Sequence, residues 1–108
     1  DSITQVLYNL TDNAVKFAAP GSTITIRLYK RDGKAYVSIK DKGETIPEGD
    51  LPFIFDRFHK SDRSRSLDKD GVGLGLYLVK RIINSHDEDI VVTSRDGITE
   101  FVFTLPLA

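Results

Sequence analysis

The sequence predicts an α+β two-layer sandwich, with helices on one face of a mixed, mostly antiparallel sheet. Three observations carry this expectation. Two stretches, 2–18 and 73–86, repeat their apolar residues at helical spacing. Two others alternate apolar and polar residues, and each is broken by an Asp-Gly pair, the strongest short hairpin signal. The order helix, hairpin, polar loop, helix, hairpin then separates helices and strands into layers around one core.

Each element follows from its residues. At about 100° per residue, Ile3, Val6, Leu7, Leu10, Ala14 and Phe17 fall in one narrow arc, so 2–18 is an amphipathic helix. Pro20 and Gly21 stop it. Ile24, Ile26 and Leu28 alternate with Thr23, Thr25 and Arg27 as a half-buried strand, and Asp32-Gly33 turns it back. The returning strand carries Ala35, Val37 and Ile39 on one face, and the same parity aims Asp41 inward. Residues 42–49 read as loop, 51–58 as a short apolar turn of helix, and 59–70 as a polar lid. From 73 to 86, Leu74, Leu76, Leu78, Val79, Ile82 and Ile83 cover more than half of a helix that should be mostly buried. Strands near 89–95 and 99–106, split by Asp96-Gly97, close the chain.

Composition narrows the function. The 108 residues, 40% hydrophobic and 29% charged, suit one soluble domain rather than a disordered chain. No apolar run reaches the roughly 20 residues of a membrane span, so direct membrane insertion is not expected. The absence of cysteine removes disulfides and thiolate metal sites and suits the cytoplasm, with room for a membrane-anchored parent. Net charge is −1, with basic residues scattered apart from a modest cluster at Arg57–Arg65, which argues against nucleic-acid binding. The chain opens on Asp1, directly into a helical pattern, and reads as a domain of a longer protein.

Three stretches can carry chemistry. Asn9, Asn13 and Lys16 form a polar stripe on the first helix. Amide oxygens suit a hard cation such as Mg²⁺ and an ammonium suits phosphate, although a solvated helix face would look the same. In "DKGETIP", residues 41–47, the inward Asp41 needs donors to offset its desolvation, and the exocyclic amine of a purine is one. Gly43 would admit a flat ring and Ile46 would wall it, whereas the plain alternative is a turn whose loop amides satisfy Asp41. "GVGLGL", residues 71–76, is neither a dinucleotide fingerprint nor a Walker loop. It is a loop with glycine at every second position before a helix N-terminus, suited to an anion or to a hinge. His59 and His86 lack metal-ligand partners at helical spacing and read as structural or surface groups.

Taken in order, these stretches resemble the catalytic, ATP-binding domain of bacterial sensor histidine kinases, of the GHKL superfamily with its Bergerat ATP-binding fold. The resemblance spans nearly the whole chain. "QVLYNLTDNAVKFAAPGSTI" resembles the N box, "DKGETIP" the first glycine box, "IFDRFHK" the F box, "GVGLGLYLVKRI" the second glycine box and "TEFVFTLP" the terminal strand. It implies a single domain over 1–108 that binds ATP and Mg²⁺. Asn13 would coordinate the metal with Asn9 beside it, Lys16 would contact phosphate, and Asp41 would accept from the adenine amine. Arg57 would reach a phosphate and Phe58 would help to place the lid. Gly71, Val72, Gly73, Leu74, Gly75 and Leu76 would wrap the triphosphate with their amides, and Thr99 would lie near the adenine.

The resemblance also implies the reaction and its partners. Hydrolytic branches of the superfamily carry a glutamate where Asn9 stands, and an amide cannot be that base, so transfer is expected rather than hydrolysis. The acceptor would be a histidine on a separate dimerisation and phosphoacceptor domain of the same kinase, with a response regulator receiver domain downstream. Two departures stand out. Glu44-Thr45 replaces the usual second glycine of the first glycine box, which opens the alternative of a regulatory nucleotide- or partner-binding module without transfer. Asp87-Glu88 replaces a glycine pair after His86, and aspartate tolerates unusual φ better than most residues.

Overall fold

A computed structural model of the protein describes residues 2–56 and 75–107. Helix α1 (Ser2–Phe17) buries Val6, Leu10, Ala14 and Phe17, a spacing of four, four and three that keeps one face on the core. Leu7, at the margin of the expected arc, remains partly exposed. The strands are β1 (Thr25–Arg31), β2 (Lys34–Lys42), β3 (Ile90–Arg95) and β4 (Ile98–Pro106). They form one sheet in the order β1-β2-β4-β3, and every described pairing is antiparallel. A turn of 3-10 helix (Leu51–Phe53) and helix α2 (Gly75–Ser85) complete the described elements.

Both hairpins close as expected. Asp32 and Gly33 have φ of 50° and 78°, and Asp96 and Gly97 have 54° and 79°, the left-handed pair that a two-residue hairpin turn requires. The inward parity also holds, since Ile26 faces Ile39 and Leu28 faces Val37 across the ladder. Burial does not follow it in β1. Ile26 is 55% and Leu28 74% exposed, because β1 is an edge strand and α1 rests on β2.

The core joins Val6, Leu10 and Ala14 of α1 to Val79 and Ile83 of α2, over Val37, Ile39, Phe101 and Phe103 of the central strands. The expectation of a mostly buried second helix needs correction. Val79 and Ile83 are buried and Leu76 and Ile82 only partly so, while Leu78 is 39% exposed. One face meets the core, Leu76 and Ile82 pack at its margin, and Leu78 faces solvent.

The end of α2 explains Asp87. The amide of Glu88 donates to the Ile83 carbonyl (3.2 Å) and that of Asp87 to the Asn84 carbonyl (3.0 Å), a Schellman cap. Its left-handed position is Asp87, at φ 58°. Immediately beyond, the Lys34 ammonium (2.7 Å) and the Thr104 hydroxyl (2.6 Å) donate to Glu88 and hold its carboxyl below the usual range. Asp89 is likewise lowered, by hydrogen bonds from Lys80 (2.7 Å) and from the Ile90 amide (2.8 Å).

Candidate functional site

The site begins at the ends of the two central strands. Asp41 on β2 and Thr99 on β4 are register partners, and strand alternation turns both toward the helix layer. Asp41 is 2% exposed and Thr99 is fully buried. Ser94 on β3 pairs in turn with Thr99, and their hydroxyl oxygens lie 2.7 Å apart. Three adjacent strands thus contribute one polar side chain each to a single row, with buried Ile46 beside it.

The loop that carries Ile46 is tied to this row at several points. The Gly43 amide donates to the Gly97 carbonyl (2.7 Å), the Gly97 amide to Thr45 Oγ1 (2.6 Å), and the Ile46 amide to Ser94 Oγ (2.7 Å). Thr45, where the resembled pattern has glycine, therefore turns its hydroxyl onto the β3-β4 hairpin. Gly43 itself differs from expectation. A Cβ there would lie 2.1 Å from the Phe17 carbonyl oxygen, so the close approach that this glycine permits is that of the end of α1. Gly43 and Ala18 form a bridge, and the Ala19 amide donates to the Lys42 carbonyl (2.7 Å).

Along α1 the polar stripe meets the start of α2. Asn9 Nδ2 donates to the Gly75 carbonyl (3.2 Å), and Asn9 Oδ1 accepts from Gln5 Nε2 (2.7 Å). The first turn of α2, the positive end of its dipole, is thereby held against α1. Asn13 is half-buried, one turn along. Lys16 forms an exposed ion pair with Asp12 at 3.2 Å, a contact of small energy. Among the described residues no three His, Cys, Asp or Glu side chains converge on a metal position. The amide oxygen of Asn13 fits a hard divalent ion that takes its other oxygens from phosphate and water.

Among the described residues Asn9 meets Gly75, with Asn13 and Lys16 farther along α1, while Asp41 pairs with Thr99 and Ile46 joins the same row through Ser94. Arg57, Phe58, the lid at 59–70, and Gly71, Val72, Gly73 and Leu74 lie outside the described residues, and Leu76 is half-buried at the start of α2. Sequence reasoning missed Ser94, and it marked Thr45 as a departure from glycine without its bond to Gly97. Ser94 shares the inward parity of Ile90 and Val92, and that was the available signal. It also missed Phe55, whose ring meets Phe101 edge-on at 6.0 Å with the Lys80 ammonium 5.6 Å from its centre. His86 behaves as expected, with Nδ1 2.9 Å from the Ile82 carbonyl at the end of α2.

Comparison with known proteins agrees with this geometry. The chain is 39% identical over 109 residues to the sensor histidine kinase WalK of Bacillus subtilis, covering 98% of this chain and 18% of that one. It is 41% identical over 107 residues to the sensor protein SrrB of Staphylococcus aureus, again 98% and 18%. It therefore spans about a fifth of the length of the curated relatives it matches. Among solved structures, a mycobacterial sensor histidine kinase, MprB, superposes with a TM-score of 0.87 at 32% identity, covering 97% of this chain and 72% of that one. Full-length ShkA, solved with AMPPNP, gives 0.82 at 28% identity, with coverage of 99% and 22%. The profile of the histidine kinase-, DNA gyrase B- and HSP90-like ATPases matches residues 1–108, and with sensor histidine kinase domains as its relatives in both sequence and structure, the chain belongs to that family.

Proposed function

We propose that this domain binds Mg·ATP and delivers its γ-phosphoryl group to a histidine on a separate dimerisation and phosphoacceptor domain of the same kinase. The observation that carries this reading is the register pair Asp41–Thr99. It places a buried acceptor and a buried hydroxyl side by side at a strand end, next to apolar Ile46. A purine edge matches that set, because its amine can donate to Asp41 while its ring covers Ile46. Opposite, the positive end of α2 and the Asn9–Asn13–Lys16 stripe suit a polyphosphate. The nucleotide analogue in the ShkA structure supports the same use.

In this reading Asn13, with Asn9 beside it, holds Mg²⁺, which supplies charge neutralisation between the phosphates when bound. Lys16 exchanges Asp12 for phosphate, Arg57 reaches a phosphate and Phe58 helps to place the lid. Gly43 holds the glycine-box loop to α1, while the amides of Gly71, Val72, Gly73, Leu74, Gly75 and Leu76 cradle the triphosphate. A ring nitrogen of the acceptor histidine attacks the γ-phosphorus. An N–P bond forms as the bond to the β,γ-bridging oxygen breaks, ADP leaves, and the phosphorylated imidazolium releases its one N–H proton, from the other ring nitrogen, to solvent. Asn9 cannot activate water, since an uncharged amide has no site basic enough to take its proton. That favours transfer over hydrolysis. The phosphoryl group then passes to an aspartate of a response regulator. No described helix is long and apolar enough to cross a membrane, and the supply of ATP places the domain on the cytoplasmic side of any anchored parent.

The test is calorimetric titration of the chain with Mg·ATP, with Asp41→Asn in parallel, followed by transfer of labelled phosphate in the parent kinase. Saturable binding weakened at least tenfold in the variant, and acid-labile, base-stable label on the acceptor domain, are expected. A folded chain that binds ATP equally well with Asn at 41 would overturn the assignment.

A further inference from the structure

Ser94 stands at the β3 end of the polar row, next to Thr99 at its centre, and nothing above gives it a role. Its Oγ accepts the Ile46 amide at 2.7 Å and lies 2.7 Å from Thr99 Oγ1. Thr99 is fully buried, and its other neighbour in the row is Asp41. A serine hydroxyl has one proton and two lone pairs, and the Ile46 amide occupies one of those pairs. A threonine hydroxyl is equally limited to one proton. Whichever of the two donates in the Ser94–Thr99 bond, the other keeps its proton for a further partner.

We propose that Ser94 is a positioning residue for base recognition. It donates to Thr99, and this turns the Thr99 proton toward the ligand edge beside Asp41. The inference rests on the ATP reading above. With that polarity the row presents an acceptor, Asp41, next to a donor, Thr99. Adenine offers the complement on one edge, an amine that donates and a ring nitrogen, N1, that accepts. Guanine offers the reverse, a carbonyl that accepts and an N1 proton that donates, and would set two acceptors and two donors against each other. Without Ser94 the Thr99 hydroxyl is free to rotate and can accept as readily as donate, so the distinction weakens. The Ile46 amide, held in the same bond, loses its acceptor as well.

The experiment compares ATP with 1-deaza-ATP, which lacks the N1 acceptor and keeps the amine. Binding of each to the wild-type chain, Ser94→Ala and Ser94→Thr is measured by calorimetry, with GTP as a third nucleotide. The wild type should bind ATP about tenfold more tightly than 1-deaza-ATP, the worth of one buried hydrogen bond whose loss leaves a group unpaired. In Ser94→Ala that gap should shrink to less than about twofold, with ATP losing more affinity than the analogue, and the preference for ATP over GTP should fall with it. Ser94→Thr, which keeps the hydroxyl on a strand-compatible side chain, should restore the gap. A purely structural tie to Ile46 would weaken all three nucleotides alike and leave the ratios unchanged, and that result would overturn the proposal. A wild-type chain that binds no ATP would overturn the ATP reading itself and this inference with it. ATP binding with an unchanged gap would remove only the role of Ser94.

Discussion

Replacing Gly43 with alanine probes the joint between α1 and the sheet. The added Cβ would meet the Phe17 carbonyl oxygen at 2.1 Å, against about 3.4 Å for the near limit of ordinary contact, and would meet the Ala19 amide nitrogen and Phe17 carbonyl carbon at 3.2 Å. All three are backbone atoms, so no rotamer change relieves the overlap. Gly43 does not have a positive φ, and the effect is therefore one of contact alone. Overpacking of this kind costs about 1–3 kcal/mol. Separating the segments also strains the bonds from Ala19 to Lys42 and from Gly43 to Gly97, both 2.7 Å, each worth about 1 kcal/mol. A loss of about 3 kcal/mol follows, which for a domain near this size lowers Tm by roughly 12–24 °C. Gly49 is the internal control, with nothing within 4 Å of its added Cβ and no positive φ. Gly49→Ala should stay within about 0.5 kcal/mol of wild type. Urea unfolding followed by far-ultraviolet circular dichroism measures both variants. A Gly43→Ala protein within about 1 kcal/mol of wild type would refute the clash and the view that this glycine serves the α1 joint.

The cap of α2 and the Glu88 cluster give two more expectations. Asp87→Gly removes a side chain from a residue at φ 58° and should stabilise the fold by about 0.5–1 kcal/mol in the same unfolding assay, whereas a destabilised variant would contradict the Schellman geometry. The folded-state pKa of Glu88 is lowered, chiefly by the Lys34 hydrogen bond, so its contribution is fully present above the ordinary value of 4.5 and is lost as pH falls through the lower folded value. The stability advantage of wild type over Glu88→Gln should therefore be largest near neutral pH and shrink in acid. A gap that is independent of pH would show that the carboxylate charge is not what Lys34 and Thr104 hold.

Much of this architecture was legible from spacing because period and turn chemistry are local. The α1 stripe, both Asp-Gly turns and the inward parity of Asp41 and Thr99 needed only neighbouring residues to read. What was not legible depended on which elements become neighbours. Ile26 and Leu28 show an alternation that looks half-buried, yet their exposure was settled by the position of β1 at the sheet edge. Gly43 suggested a ligand's approach, whereas its missing side chain makes room for a carbonyl 26 residues earlier in the chain. Ser94 looked like an ordinary strand residue and Thr45 stood out only as a departure from glycine, since their meaning lies in contacts with Thr99, Ile46 and Gly97 across strands. A hydroxyl that bonds across the sheet leaves no local signature beyond its parity.

The exposed rim of β1 bears on how the chain behaves in company. A strand whose outer amides and carbonyls pair with nothing among the described residues, and which also shows Ile26 and Leu28 to water, is a template for a second strand. Along the same strand stand Arg27, Lys30 and Arg31, all exposed. Two such rims meeting edge to edge would bring their backbones to about 5 Å, within the roughly 8 Å screening length of physiological salt. Salt would therefore only partly screen the repulsion between their crowded cations. The strand that looks most adhesive therefore carries its own deterrent to self-pairing, while an acidic strand would meet attraction where a copy of this chain meets resistance.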